Sequence, residues 1–308
     1  MTANAIPMPS SNIVAVTGAS GFIGLAVLAA LERQGLAPRP LVRKLDRLPT
    51  SLQQHARVVD LQNAEQVAAA LQGVAAIIHL AFDMRAPTSG QGHDVITRNV
   101  VAAAAHAQAR LVLASSYSVI DWVRAGQAVD TRSATVSTHG PLWYGAYAHA
   151  KAAQEALTRQ LCREFGVHVS ILRPGKVWDQ DHLPSDVIGP RIGKRQLVVR
   201  PGRQAQVIDV QTCADAFAKA SQASTTEELL HLVDTSLITV EALAERLPET
   251  THVLKVPGIF VLLLRAVSPL AALAFKAGLK VPGLLLWPRV EARYPLAHAP
   301  ASHSTSNP

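Results

Sequence analysis

Residues 13–24 read IVAVTGASGFIG: a run of aliphatic residues, then glycines at 18, 21 and 24, then the opening of an apolar stretch at Phe22. In a strand–turn–helix each glycine has its own task. Gly18 gives the backbone room to turn tightly, Gly21 lets a phosphate approach the main chain, and Gly24 allows close packing of helix on strand. The helix N-terminus adds oriented N–H groups and a partial positive charge. The stretch therefore predicts a pyrophosphate cradle formed by Gly18, Ser20, Gly21, Phe22, Ile23 and Gly24, and with it a dinucleotide cofactor. An ordinary structural turn would use the same glycines; the strand before and the helix after favour the cofactor.

Working outward, short aliphatic runs alternate with longer alanine-rich stretches, the pattern of repeated βαβ units around a parallel sheet. Strands are predicted at 13–16, 58–59, 75–80, 111–114 and 167–172, with helices at 22–34, 64–71, 95–108 and 147–165. Gly35 and Gly166 stand where helices should stop. Pro38 and Pro40 precede Leu41 and Val42, so the strand there is expected to be short, because proline cannot donate to a ladder. Further strands are expected near 196–199 and 229–233, and helices near 210–221 and 240–247. The fold class is thus α/β, a doubly wound parallel sheet of Rossmann type. The expected division is a flexible leader (1–11), a dinucleotide-binding domain (12–175), a smaller substrate lobe (176–298) with part of its chain returning to the sheet, and a disordered tail (299–308).

After the second strand an acid would bind the ribose hydroxyls of NAD, whereas basic side chains would neutralise the extra phosphate of NADP. Here LVRKLDR offers Arg43 and Lys44, with no acid before Asp46. NADP is preferred, NAD remaining open, although a solvated basic loop would look the same. Asp60, with Leu61 beside it, follows the third strand; its carboxylate suits an adenine amino group, or equally a helix cap.

The segment YGAYAHAK sets Tyr147 and Lys151 four residues apart, on one face if helical. A neighbouring ammonium favours the phenolate, so Tyr147 can exchange a proton nearer neutral pH than a free phenol. Tyr144 has no such partner. In LVLASSYSVID a buried strand ends in Ser115 and Ser116 at the carboxyl edge of the sheet, where open α/β sheets bind ligands. A hydroxyl there can hold a substrate carbonyl, although a serine pair after a strand also makes plain turns.

Composition narrows the classes. The 29 basic and 22 acidic residues leave +7, which suits an anionic ligand; with only 5% aromatic residues and no dense basic run, a nucleic-acid groove is not expected. Cys162 and Cys213 form no framework or CxxC cluster, and the twelve histidines show no metal-type spacing, so neither disulfides nor a metal site are predicted, and a cytoplasmic setting is. The N-terminus lacks the signature of a secretory signal. From 253 to 286 the chain is apolar but interrupted by Pro257, Arg265, Pro269, Lys276, Lys280 and Pro282, short of the roughly 18 residues a spanning helix needs. Lobe core, a lid over a lipophilic substrate and a basic segment lying on lipid all stay open.

Taken in order, these motifs resemble the extended short-chain dehydrogenase/reductase superfamily, which includes the NAD-dependent epimerase/dehydratase family, dihydroflavonol reductases and 3β-hydroxysteroid dehydrogenases. The resemblance runs from about Ile13 to about Phe217. VTGASGFIG resembles its cofactor turn, HLAF (His79 to Phe82) its segment under the adenine ribose, and TRNVVAAA its central helix with Asn99. It implies Ser116, Tyr147 and Lys151 as the catalytic set, and Leu80, Ala81, Asn99, Pro174, Gly175 and Val177 beside the cofactor, with Tyr147 and Lys151 touching it too. Lys176, Trp178 and Asp179 depart from the pattern common among nucleotide-sugar enzymes, and Thr212 stands where an acid is usual in QVIDVQTCADAF. The expectation is an NAD(P)-dependent oxidoreductase acting on a small apolar carbonyl/alcohol pair. A nucleotide-sugar epimerase or dehydratase is the alternative, and a non-catalytic NADP-binding sensor or scaffold the second. The expected partner is a small molecule, with a homodimer and peripheral membrane contact left open.

Overall fold

The aliphatic runs of the first half become strands and the alanine-rich stretches become helices. The computed structural model describes residues 11–82, 91–125, 129–137, 144–189, 191–192, 194–199, 202–234, 238–248, 250–256, 263, 266–271, 273–274 and 277–280. In chain order the elements are β1 (Ile13–Thr17), α1 (Phe22–Arg33), β2 (Ala37–Val42), α2 (Thr50–Gln53), β3 (Arg57–Val58), α3 (Ala64–Ala70), β4 (Ala76–His79), α4 (Gln91–Ala107), β5 (Arg110–Ala114), α5 (Ala146–Phe165), β6 (Val169–Pro174), β7 (Lys176–Trp178), α6 (Ser185–Ile188), β8 (Arg191–Ile192), β9 (Arg195–Val198), β10 (Val207–Asp209), α7 (Val210–Ala220), β11 (Glu227–Leu232), α8 (Val240–Ala244) and β12 (His252–Lys255). Most of the leader and all of the tail lie outside the described residues.

The chain forms two compact units. The first comprises Met1–Ser116, Ala150–Pro174 and Val210–Leu232; the second comprises Tyr117–His149, Gly175–Asp209 and Val233–Pro308. In the first, seven strands pair in the order β11-β6-β5-β4-β1-β2-β3, every pair parallel. Their side chains are covered on both faces, which is why Val14, Ala15, Val16, Ile77, Ile78, Val112 and Leu113 are all buried without polar alternation. β1 is flanked by β2 on one side and β4 on the other. The strand order therefore reverses at β1, which opens a crevice at the carboxyl ends of β1 and β4.

The short second strand expected from Pro38 and Pro40 is corrected by the structure: β2 runs six residues, with Pro38 opposite Val14 and Pro40 opposite Val16. The Ala37 N–H bonds Asn12 O on the β1 side, so by alternation both proline nitrogens face the other edge. β3 pairs only with Leu41 and Val42, so no ladder bond is demanded of either proline. The fourth helix starts at Gln91 instead of 95, its first turn being polar and therefore invisible to hydrophobic periodicity. α8 ends at Ala244, before 247, because Leu247 precedes Pro248 and is steered out of helix. Gly35 and Gly166 do end α1 and α5, at φ +73 and +68.

The second unit has a parallel pair, β7 with β10, and a three-stranded sheet in the order β12-β9-β8. Trp178, Ile188, Val198, Val207, Val240 and Leu243 form its core. Of the stretch 253–286, residues 253–255 belong to β12, while Leu270 and Leu273 are 71% and 67% exposed. Among the described residues no helix is long and apolar enough to cross a membrane.

Candidate cofactor and catalytic site

The glycine turn joins β1 to α1 at the crevice. Gly18 has φ +68, a conformation side chains resist, and a Cβ there would meet Ala81 N at 2.9 Å. At Gly24 a Cβ would lie 2.3 Å from Gly18 O, so the helix can approach the turn only as glycine. Gly21 differs: it is exposed, and an added Cβ would meet only Gly18 O, at 3.2 Å. No side-chain cap bond is made at Gly21, the N-cap of α1, where the helix terminus carries a partial positive charge that suits an anion. Ser20, Phe22 and Ile23 are part-buried around this bend.

Behind the turn lies a buried polar chain. Lys151 Nζ donates to Ala114 O (2.8 Å) and to Gln154 Oε1 (3.0 Å), and it stands 4.1 Å from the centre of the Phe82 ring, which stacks on His93. Because an ammonium only donates, Gln154 presents its oxygen to Lys151 and its Nε2 to His79 Nε2, 3.4 Å away. A neutral His79 then carries its proton on Nδ1 and donates to Thr17 Oγ1 (2.7 Å), which also accepts from Ala81 N (3.1 Å). Burial pulls Lys151 down to about 7; burial, then Lys151 and His93, pull His79 down to about 3.

At the end of β5 the two serines separate. Ser115 Oγ donates to Glu155 Oε2 at 2.7 Å, and Glu155 also receives Arg173 on β6. Burial would raise the Glu155 carboxyl, but Arg173, Ser115 and Arg159 outweigh it and hold it below the usual carboxylate range. Ser115 is thus committed to a structural network, and Ser116 follows it, part-buried, at the same edge of the sheet. Tyr147 lies in the first turn of α5, 36% exposed, one turn before the buried Lys151. Tyr144 donates to the buried Asp121 instead.

The remaining expected cofactor residues fall as follows. Arg43 and Lys44 are exposed on the loop after β2. Asp60 is exposed, its Oδ1 taking Gln62 N; the cap of α3 is Asn63, not Asp60. Asn99 is part-buried, and its Nδ2 donates to Leu61 O and Gln62 O, both at 3.0 Å, so it shapes the loop carrying Asp60 and Leu61. Leu80 and Ala81 lie against Gly18. Pro174 ends β6 in the first unit, whereas Gly175 and Val177 fall in the second, where a Cβ on Gly175 would meet Gln206 O at 2.6 Å.

A family model described as the NAD dependent epimerase/dehydratase family matches residues 14–196, more than half of the chain. The chain belongs to that family. Comparison with curated proteins found no match. Among solved structures, a UDP-N-acetylglucosamine 4-epimerase from Bacillus cereus is 17% identical, with TM-score 0.59 over 76% of this chain and 82% of that one. A short-chain dehydrogenase/reductase superfamily protein from Agrobacterium tumefaciens with bound NAD is 20% identical, with TM-score 0.62 over 79% and 85%. A UDP-glucose 4-epimerase from Thermus thermophilus in complex with NAD is 20% identical, with TM-score 0.55 over 79% and 85%. At these identities the likeness establishes the Rossmann-type fold.

Four further side chains lie about the buried lysine. Thr17, His79, Gln154 and Phe82 surround Lys151 and the glycine turn. Gln154 had a usable signal, since it stands three residues after Lys151 and shares its helix face. Thr17 and His79 lie inside the glycine-turn and HLAF segments, but no pattern there tells that their side chains bond each other.

Proposed function

We propose that this protein is an NAD(P)-dependent oxidoreductase that interconverts a carbonyl and an alcohol on a small apolar substrate, with NADP preferred to NAD. The observation that carries this is the glycine-lined N-terminus of α1 at the strand-order reversal, in the same unit as the buried Lys151 ammonium. The residues fit a dinucleotide: Gly18, Gly21 and Gly24 leave backbone where side chains would stand, and Arg43 and Lys44 offer two cations for a ribose phosphate. When bound, the nicotinamide supplies or accepts hydride.

Tyr147 gives the proton to the carbonyl oxygen in reduction and takes it back in oxidation. Ser116 donates a hydrogen bond to the same oxygen. Lys151 in its charged form favours the Tyr147 phenolate; because burial holds it at about 7, that form is lost in the ligand-free chain as pH rises through this value. Tyr147→Phe is expected to abolish turnover across a panel of carbonyls and alcohols while leaving NADPH binding intact, and undiminished turnover would refute the assignment.

A second reading has support of its own. Two of the three structural neighbours named above are UDP-sugar 4-epimerases, and the family name covers that chemistry. In it the same Tyr147 would take a sugar hydroxyl proton and give it back, a bound nicotinamide would accept the hydride of that carbon and return it, and the purified protein would hold oxidised cofactor with no net consumption. In either reading we place the protein in the cytoplasm, consistent with the buried thiols of Cys162 and Cys213.

A further inference from the structure

The Lys151 ammonium has three protons on a flexible four-carbon stem, and a buried position makes each unmet donor costly. Ala114 O fixes one proton and Gln154 Oε1 a second; the Phe82 ring lies 4.1 Å from the nitrogen. Ala114 contributes a main-chain oxygen at the end of β5, which any residue would supply. Gln154 is the side chain that makes the arrangement particular to this sequence. Its carboxamide is oriented from behind: Nε2 is spent on His79, His79 on Thr17, and the Thr17 hydroxyl also receives Ala81 N, the atom that a Cβ on Gly18 would strike. Thr17, His79, Lys151 and Gln154 are all nine-tenths buried or more, so water does not substitute for a missing partner.

We propose that Gln154, oriented by His79 and Thr17, is a positioning residue that fixes where the Lys151 ammonium stands and couples that position to the glycine turn. The inference deepens the role given to Lys151 above and rests on that reading for its meaning in catalysis. The contacts it invokes belong to the ligand-free chain. A carboxamide does this work where a carboxylate would not: glutamate would hold the ammonium as a fixed ion pair, and leucine would leave a buried N–H unmet. A neutral histidine is equally required, since a second cation beside Lys151 would push it away.

The test is a pH titration of the Lys151 Cε signal by carbon-13 NMR in the intact ligand-free protein, assigned with Lys151→Met, for wild type, Gln154→Leu and Gln154→Glu. Among the described residues of its own unit, the other titratable groups near Lys151 are His79 of β4, His93 of α4 behind Phe82 and, one turn later on α5, Glu155, which is committed to Arg173; Tyr147 precedes Lys151 by four residues on the same helix. Gln154→Leu is expected to lower the Lys151 midpoint by about half a pH unit, and Gln154→Glu to raise it by about one unit or more. NADPH affinity is expected to fall about fivefold in the leucine variant, the order of one ordinary hydrogen bond. A midpoint that stays at the wild-type value in folded Gln154→Leu would overturn the proposal, because a merely structural glutamine would lower the melting temperature without moving the lysine. Should the leucine variant fail to fold, the near-isosteric Gln154→Glu decides on the same criterion. The titration needs no cofactor, so it stands even if NADPH proves not to bind, an outcome that would count against the proposed function alone.

Discussion

Replacing Lys151 by methionine keeps the length of the side chain and removes its charge, and the consequence for stability is expected to depend on pH. The ammonium is buried, and burial takes the group from 10.5 in the unfolded chain to about 7 in the folded one. Between those values the unfolded chain binds a proton that the folded chain does not, so this group makes the protein more stable as pH rises. Each unit of difference corresponds to about 1.4 kcal/mol once the folded group is fully neutral. Starting at the folded midpoint, the step from pH 7 to pH 9 contributes about 2 kcal/mol. Urea unfolding of wild type and Lys151→Met at pH 7, 8 and 9 reads this directly, because the other titrating groups are common to both and cancel in the difference. Wild type is expected to gain about 2 kcal/mol on the variant over that range. A difference that stays flat would refute the reasoning, showing that Lys151 remains charged and solvated in the folded protein.

Thr17→Val preserves shape but deprives Ala81 N and His79 Nδ1 of their shared oxygen; urea unfolding should show a loss of about 1–3 kcal/mol, the usual cost of leaving buried donors unmet. Arg43→Ala combined with Lys44→Ala should weaken NADPH binding about tenfold or more, the value of a charge-assisted contact to phosphate, while NADH binding changes little, as measured by calorimetry. Gly24→Ala forces a methyl to within 2.3 Å of Gly18 O, and should cost about 1–3 kcal/mol in stability together with the turn's shape, seen as a lowered melting temperature.

The alternation of strand and helix was readable because buried parallel strands carry unbroken aliphatic runs and the crossovers repeat at the right length. The glycine turn was readable because Gly18, Gly21 and Gly24 sit at spacings that a tight turn and a close-packed helix impose. Misreadings came where local chemistry and tertiary context disagree. Pro38 and Pro40 argued for a short strand, yet β2 is six residues long because β3 begins late and the proline nitrogens face an edge that needs no donor. For Asp60 the sequence left an adenine contact and a helix cap open, and only the second is removed, since Asn63 caps α3. Ser115 and Ser116 look alike in the sequence, and the bond from Ser115 to Glu155, which Arg173 also holds, is seen only in the fold. The Thr17–His79–Gln154 chain brings together β1, β4 and α5, residues 62 to 75 positions apart, and no local pattern encodes such a meeting.

The central claim is that the Gly18–Gly24 bend holds the pyrophosphate of a nicotinamide dinucleotide, and Gly21→Ala isolates it, since the added methyl meets one oxygen at 3.2 Å and leaves the fold intact while obstructing the ligand's approach. Calorimetric titration of NADPH and NADH into wild type and Gly21→Ala is expected to show saturable binding to wild type, tighter for NADPH, and binding weakened about tenfold or more in a variant of unchanged melting temperature. Equal binding by the two proteins, or none by wild type, would contradict it.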